Sequence, residues 1–195
     1  MRTITAPGRM AVSAALTGVA VVGLVTGCTK ETTGTPAASP TTTGAGHLDE
    51  ALWNPCNLVS ADALQAAKLD PASKVTGIDV NGAVNTTEKS CAWTSTEGPY
   101  QVGVAADRFT LDQVRANTAL TVIGDVQVGS RKAVTSEDKQ DASDKLTCDV
   151  SFPFAQGTFD VYLYWRYSER DKITQSPPCG LALSHAVALE PFLPK

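Results

Sequence analysis

The chain predicts an α+β domain: a single domain built on a mainly antiparallel β-sheet, with helices packed on one face and two disulfides. Three observations carry this. Stretches of alternating apolar and polar residues come in pairs joined by short turns, capped helix-like stretches stand at the start, middle and end of the body, and four cysteines are spread through it.

The body, residues 48 to 195, is long enough for one domain that buries about two thirds of its unfolded surface. Asn54-Pro55-Cys56 reads as a turn leading to Ser60, an N-cap for a helix from Ala61 to Lys68. Leu64 and Ala67 face inward in this helix and Leu58 packs near its start, while Asp70-Pro71 ends it. Lys74 to Val80 and Glu88 to Ser95 read as strands separated by the turn-prone Asn81-Gly82. Tyr100 to Ala106 follows as a half-buried strand, in which Tyr100, Val102 and Val104 alternate with Gln101, Gly103 and Ala105.

Thr110-Leu111-Asp112-Gln113 is a capping box that opens a helix to about Ala119, with Leu111, Val114 and Thr118 on one face. Leu120 to Ile123, Val126 to Val128 and Arg131 to Thr135 are short strands broken at Gly124 and Gly129. Arg131-Lys132 is expected in a solvated turn. Glu137 to Lys145 is charged without an apolar face and reads as an exposed loop. Thr147 to Phe154 and Thr158 to Arg166 are the clearest strands, and the second sets Phe159, Val161, Leu163 and Trp165 against Thr158, Asp160, Tyr162 and Tyr164. Tyr167 to Pro178 reads as a loop, and a helix from Gly180 to Leu189 closes the fold with Leu181, Ser184, His185 and Ala188 on one face.

Ahead of the body lies an address. Arg2 and Arg9 precede the uncharged run from Ala11 to Val25, which is the layout of a secretory signal peptide over residues 1–27. That run is shorter than the roughly 20 residues a spanning helix needs. Val25-Thr26-Gly27-Cys28 resembles a bacterial lipobox, which makes Cys28 the lipidation site and the mature N-terminus. An ordinary signal peptide with an incidental cysteine is the plainer alternative. Of the 19 residues from Thr29 to His47, 16 are Thr, Gly, Pro, Ala or Ser; no core can form from them, and the segment reads as a flexible tether. The expected location is the extracytoplasmic face of the cell membrane, held by acyl chains such as palmitate on Cys28.

Cleavage before Cys28 removes two of the 16 basic residues and leaves 14 against 20 acidic ones, a charge of −6. That balance argues against nucleic acid as a partner. Cys56, Cys91, Cys148 and Cys179 remain, and an even number in an exported chain implies two disulfides with three connectivities open. Pairing neighbours along the chain, Cys56 with Cys91 and Cys148 with Cys179, is the expectation. Metal binding is not expected, for there is no C-x-x-C and the histidines are too few to complete a tetrahedral site.

Nor does a catalytic constellation stand out. His47 lies in the tether, His185 sits on a helix beside Ser184 but about 100° around from it, and no G-x-S-x-G, H-E-x-x-H or phosphate loop occurs. A pair of carboxylates assembled by the fold carries no sequence spacing. The chain is therefore expected to be no enzyme and to need no cofactor. Tyr162, Tyr164, Trp165 and Tyr167 form the densest aromatic stretch and are the candidate binding surface. Asn85-Thr86-Thr87 fits the N-glycosylation pattern, without expected significance in a bacterial chain.

Asn54-Pro55-Cys56 with Leu58, Ser90-Cys91-Ala92-Trp93, Ile123-Gly124-Asp125, Cys148, Pro178-Cys179 and the terminal Leu193-Pro194 follow one another in an order that resembles the DUF3558 family of actinobacterial lipoproteins. The resemblance implies a surface lipoprotein with paired cysteines and supplies no catalytic residues. Two functional expectations follow: a non-catalytic binding or accessory protein at the envelope, docking a protein or small ligand, or a carrier enclosing an apolar molecule such as a lipid.

Overall fold

The computed structural model describes residues 51–77 and 87–195, all of which fall in one compact unit. The signal segment, Cys28, the tether with His47, Asn81-Gly82 and Asn85-Thr86 lie outside the described residues. Two short helices come first, α1 (Pro55–Leu58) and α2 (Ala61–Ala66). Strands β1 (Val75–Thr76), β2 (Glu88–Thr94) and β3 (Tyr100–Asp107) follow, then helix α3 (Leu111–Ala116). Four strands, β4 (Leu120–Val128), β5 (Arg131–Asp138), β6 (Thr147–Phe154) and β7 (Gly157–Trp165), lead to the terminal helix α4 (Cys179–Leu189). The strands form one seven-stranded antiparallel sheet in the order β1-β2-β3-β7-β6-β5-β4. The last strand thus inserts at the centre, between β3 and β6.

Helix starts are set by the caps the residue types allow. Asn54 accepts from the Cys56 amide, Ser60 from the Ala63 amide, and Thr110 and Gln113 complete a reciprocal capping box. On one face of the sheet, Trp93, Val104, Val150, Phe159 and Leu163 form a core with Leu64 and Ala67 of the N-terminal segment and Ala182, Ala186 and Leu189 of α4. Both disulfides close on this side with the expected connectivity: Cys56–Cys91 ties α1 to β2, and Cys148–Cys179 ties β6 to α4, each with Cα atoms 5.1 Å apart.

Several local expectations are corrected. The first helix stops at Ala66 because Lys68 turns to φ +56, and Leu58 is 56% exposed, not packed. The third helix ends at Ala116. Gly124 marks a register shift inside a continuous β4 rather than a break, and the break comes at Gly129, whose φ of +59 suits the turn into β5. Glu137 and Asp138 extend β5, and the Asp141 carboxylate caps the turn beyond by accepting from the Leu146 and Thr147 amides. Tyr167–Lys172 is a run of 3₁₀ helix. Helix α4 buries Ala182, His185, Ala186 and Leu189, not the row through Leu181 and Ala188. It is apolar nearly all round, so periodicity could not choose its face; the bond to Cys148 and the hydrogen bonds of His185 do.

Arg131 is not in a solvated turn. It is 8% exposed, pairs with Glu190 at 3.1 Å and donates to the carbonyls of Pro153, Leu193 and Pro194, which ties the C-terminus to the sheet.

Candidate functional site

The opposite face of the sheet is where polar chemistry collects. Cross-strand register sets Ala105 of β3 beside Asp160 of β7, Asp160 beside Ser151 of β6, Gly103 beside Tyr162, and Tyr162 beside Asp149. Since alternate residues of a strand share a face, Asp107, Asp149, Asp160 and Tyr162 all stand on this side. Gly103 makes room for the tyrosine: a Cβ there would lie 1.9 Å from the Tyr162 ring. Helix α3 crosses this face and buries Val114 against it, so that sheet and helix enclose a cavity of about 580 Å³. Its floor includes Asp107, Asp149, Asp160 and Tyr162, Glu88 stands at one side, and Phe109, Val114 and Leu120 supply apolar wall.

None of the described lining residues is basic. Burial therefore acts on the carboxyls unopposed. Asp107 is pushed up to about 9, first by loss of water, then by its hydrogen bond and charge contact with Asp160 and by the charge of Glu88. Asp149 is raised to about 7 by burial and by the charges of Asp160 and Asp138. Burial raises Asp160 as well, opposed by hydrogen bonds from Asp107 and Ser151. Tyr162 is pushed up to about 12, by burial before the charge of Glu88. The hydrogen-bonded pair Asp107 and Asp160 titrates as a unit and keeps a shared proton at neutral pH. One acceptor is left over: Oδ1 of Asp160 is buried and takes part in no hydrogen bond. Fully buried and unpartnered hydroxyls of Thr158 and Ser136 lie across the strands from Asp107 and Asp149.

Strongly displaced carboxyls in a cleft mark a functional-site candidate. The chain's motifs did not single these residues out. Among the described residues no group of three or more His, Cys, Asp or Glu is arranged to hold a metal ion.

The aromatic stretch is divided by the fold. Tyr162 lines the cavity, Tyr164 is 47% exposed, and Trp165 is buried and stacks on Tyr100 with centroids 5.0 Å apart. Tyr167 is exposed with the Arg170 guanidinium over its ring. His185 lies on the core side; its Nδ1 donates to the Ala67 carbonyl, and Nε2 meets the Tyr100 hydroxyl at 3.1 Å. Burial lowers its basicity. Both ring nitrogens are engaged, so His185 serves packing.

The family described as Protein of unknown function (DUF3558) matches residues 23–191, nearly the whole chain. The chain belongs to that family. Comparison with curated proteins and with solved structures found no match to either. The family match takes in Leu24 to Cys28 as well as the folded body.

Proposed function

We propose that this protein is a lipid-anchored envelope protein with a non-catalytic binding role, attached to the extracytoplasmic face of the membrane through Cys28 and taking a small ligand in the cavity beneath α3. The cavity carries the binding part of this reading. At about 580 Å³ it falls in the range of small-molecule sites, and it combines apolar walls with a few convergent polar groups. The anchoring part is supported by the lipobox at Val25 to Cys28 and the Thr/Pro/Gly tether behind it. Each buried methylene of an acyl chain adds about 0.8 kcal/mol of membrane affinity, so two or three chains suffice without a spanning helix.

A non-catalytic role fits the carboxyl geometry. Asp107 and Asp160 are close enough to hydrogen-bond, whereas glycosidase pairs stand about 5 to 9.5 Å apart to leave room for the sugar and water. A carrier of an apolar molecule is less well supported by this cavity, because hydrocarbon would leave the Asp160 oxygen unsatisfied. The second cavity, about 460 Å³ beside Trp53, Leu58 and Phe154, is the better place for such cargo.

Two experiments test the reading. Cys28→Ala should release the protein from the membrane, and the wild-type N-terminal peptide should carry the mass of diacylglycerol. For the cavity, the mature chain with Cys28→Ser, secreted without reductant, is examined by native mass spectrometry for a retained small molecule. Leu120→Trp, which fills the cavity mouth, should abolish retention; undiminished retention places the ligand elsewhere.

A further inference from the structure

The charge of the cavity says more than its shape. Resting on the reading that this cavity binds a small ligand, we infer that the ligand is an organic cation: an amine or ammonium whose charged group seats against Asp149 and Asp160, with its apolar part on Phe109, Val114 and Leu120. Four acidic side chains from four strands, Glu88, Asp107, Asp149 and Asp160, line one space with no basic residue among the described lining. A buried carboxylate without a counter-charge is costly, and a ligand that brings the counter-charge recovers that cost. The orphan Oδ1 of Asp160 is an independent pointer, because it lines this cavity, is buried, and no donor in the protein reaches it. An ammonium N–H supplies a donor where the protein has none.

The acidic groups do not converge as metal ligands do, and Phe109 and Tyr162 offer ring faces, which favour a diffuse, partly apolar cation. An anionic or neutral polar ligand would meet the carboxyls without relieving them.

A proton linkage follows. The groups facing the bound charge are Glu88 from β2, Asp107 from β3, Asp138 and Ser136 from β5, Asp149 from β6, Asp160 and Tyr162 from β7, and the neutral Gln113 of α3. With Asp149 raised to about 7 and Asp107 to about 9, the empty cavity holds protons at neutral pH that an incoming cation displaces.

The test uses 4-phenylbutylamine and its neutral counterpart 4-phenylbutanol as probes, titrated calorimetrically into the mature chain carrying Cys28→Ser. The amine should bind at least tenfold more tightly than the alcohol and release protons, as read from buffers of different ionisation enthalpy. Its affinity should rise from pH 6 to pH 8, while that of the alcohol stays flat. Asp149→Asn and Asp160→Asn should each narrow the preference for the amine. If amine and alcohol bind alike and both are lost in Leu120→Trp, the cation inference is overturned and the cavity reading stands. If neither binds, the inference is likewise overturned. Should Leu120→Trp bind the amine as well as the parent chain does, inference and cavity reading fall together.

Discussion

The carboxyl groups of Asp107 and Asp160 share a hydrogen bond between neighbouring strands on the polar face of the sheet, which requires one of them to keep its proton. With Asp149 close by, three acids have folded-state values above the ordinary carboxylate range near 4. A raised acid loses stability as pH rises: above pH 4 the unfolded chain releases protons that the folded chain retains, until the folded values of about 7 for Asp149 and about 9 for Asp107 are passed. His185 acts in the opposite sense, because a lowered histidine costs stability as pH falls below about 6.5. Three acids outweigh one base. The midpoint of thermal unfolding should therefore be higher at pH 5 than at pH 8, and Asp149→Asn should remove a slope on the order of 3 kcal/mol in total between pH 4 and pH 8. A wild-type profile that climbs toward pH 8 contradicts this account.

Gly103 and Tyr162 give a steric prediction. Gly103→Val places branched carbon where the Tyr162 ring lies, so the ring must leave the cavity floor or β3 and β7 must part. A loss of about 1 to 3 kcal/mol is expected from overpacking, together with weaker ligand retention. Gly124→Ala is the control, since nothing stands within 4 Å of an added Cβ there; its change should stay within about 0.5 kcal/mol. Urea unfolding of both variants checks the contrast.

Why the fold was more legible than the site can be seen in single strands. Period-two alternation placed Phe159, Val161 and Leu163 on one face of β7 and Asp160 and Tyr162 on the other, and both placements hold. Capping chemistry at Ser60 and Thr110 marked two helix starts correctly. What alternation cannot carry is which strand lies beside which. Asp107, Asp149 and Asp160 meet only because β7 inserts between β3 and β6, and each aspartate alone looks like a solvated strand residue. Arg131 was missed for the same reason, as its partner Glu190 is 59 residues away.

Arg131 and Glu190 form a pair at 3.1 Å in which both side chains are nearly buried. Lys195 hydrogen-bonds the same carboxylate and, with Arg131, holds it below the usual range. Arg131→Met leaves Glu190 short of its main buried partner and frees the carbonyls of Pro153, Leu193 and Pro194. Removing one member of a buried pair costs about 3 to 5 kcal/mol, whereas replacing both by apolar residues is often near neutral. The double variant Arg131→Met with Glu190→Leu should recover a large part of the loss in urea midpoint. If the double change is as damaging as the single, the contacts to the carbonyls dominate over the ion pair.

The two disulfides stabilise the fold without touching the cavity. Cys91 and Cys148 point to the core face, while the carboxylates occupy the other. The bridges span separations of 35 and 31 residues, and a loop of that size constrains the unfolded chain by roughly 3.5 to 4 kcal/mol in the entropic model. Replacing Cys148 and Cys179 by serine should lower stability by about 2 to 5 kcal/mol. It frees α4 from its covalent tie to β6 but leaves Ala182, Ala186 and Leu189 in the core. The intact oxidised protein should weigh four hydrogens less than the reduced chain, two for each bridge. Below its lowered melting point, the Cys148→Ser, Cys179→Ser variant should still bind the cavity's ligand with little change, because the sheet register that assembles Asp107, Asp149 and Asp160 comes from strand pairing alone. Loss of binding in a variant that remains folded would show that α4, through the core, sets the geometry of the opposite face.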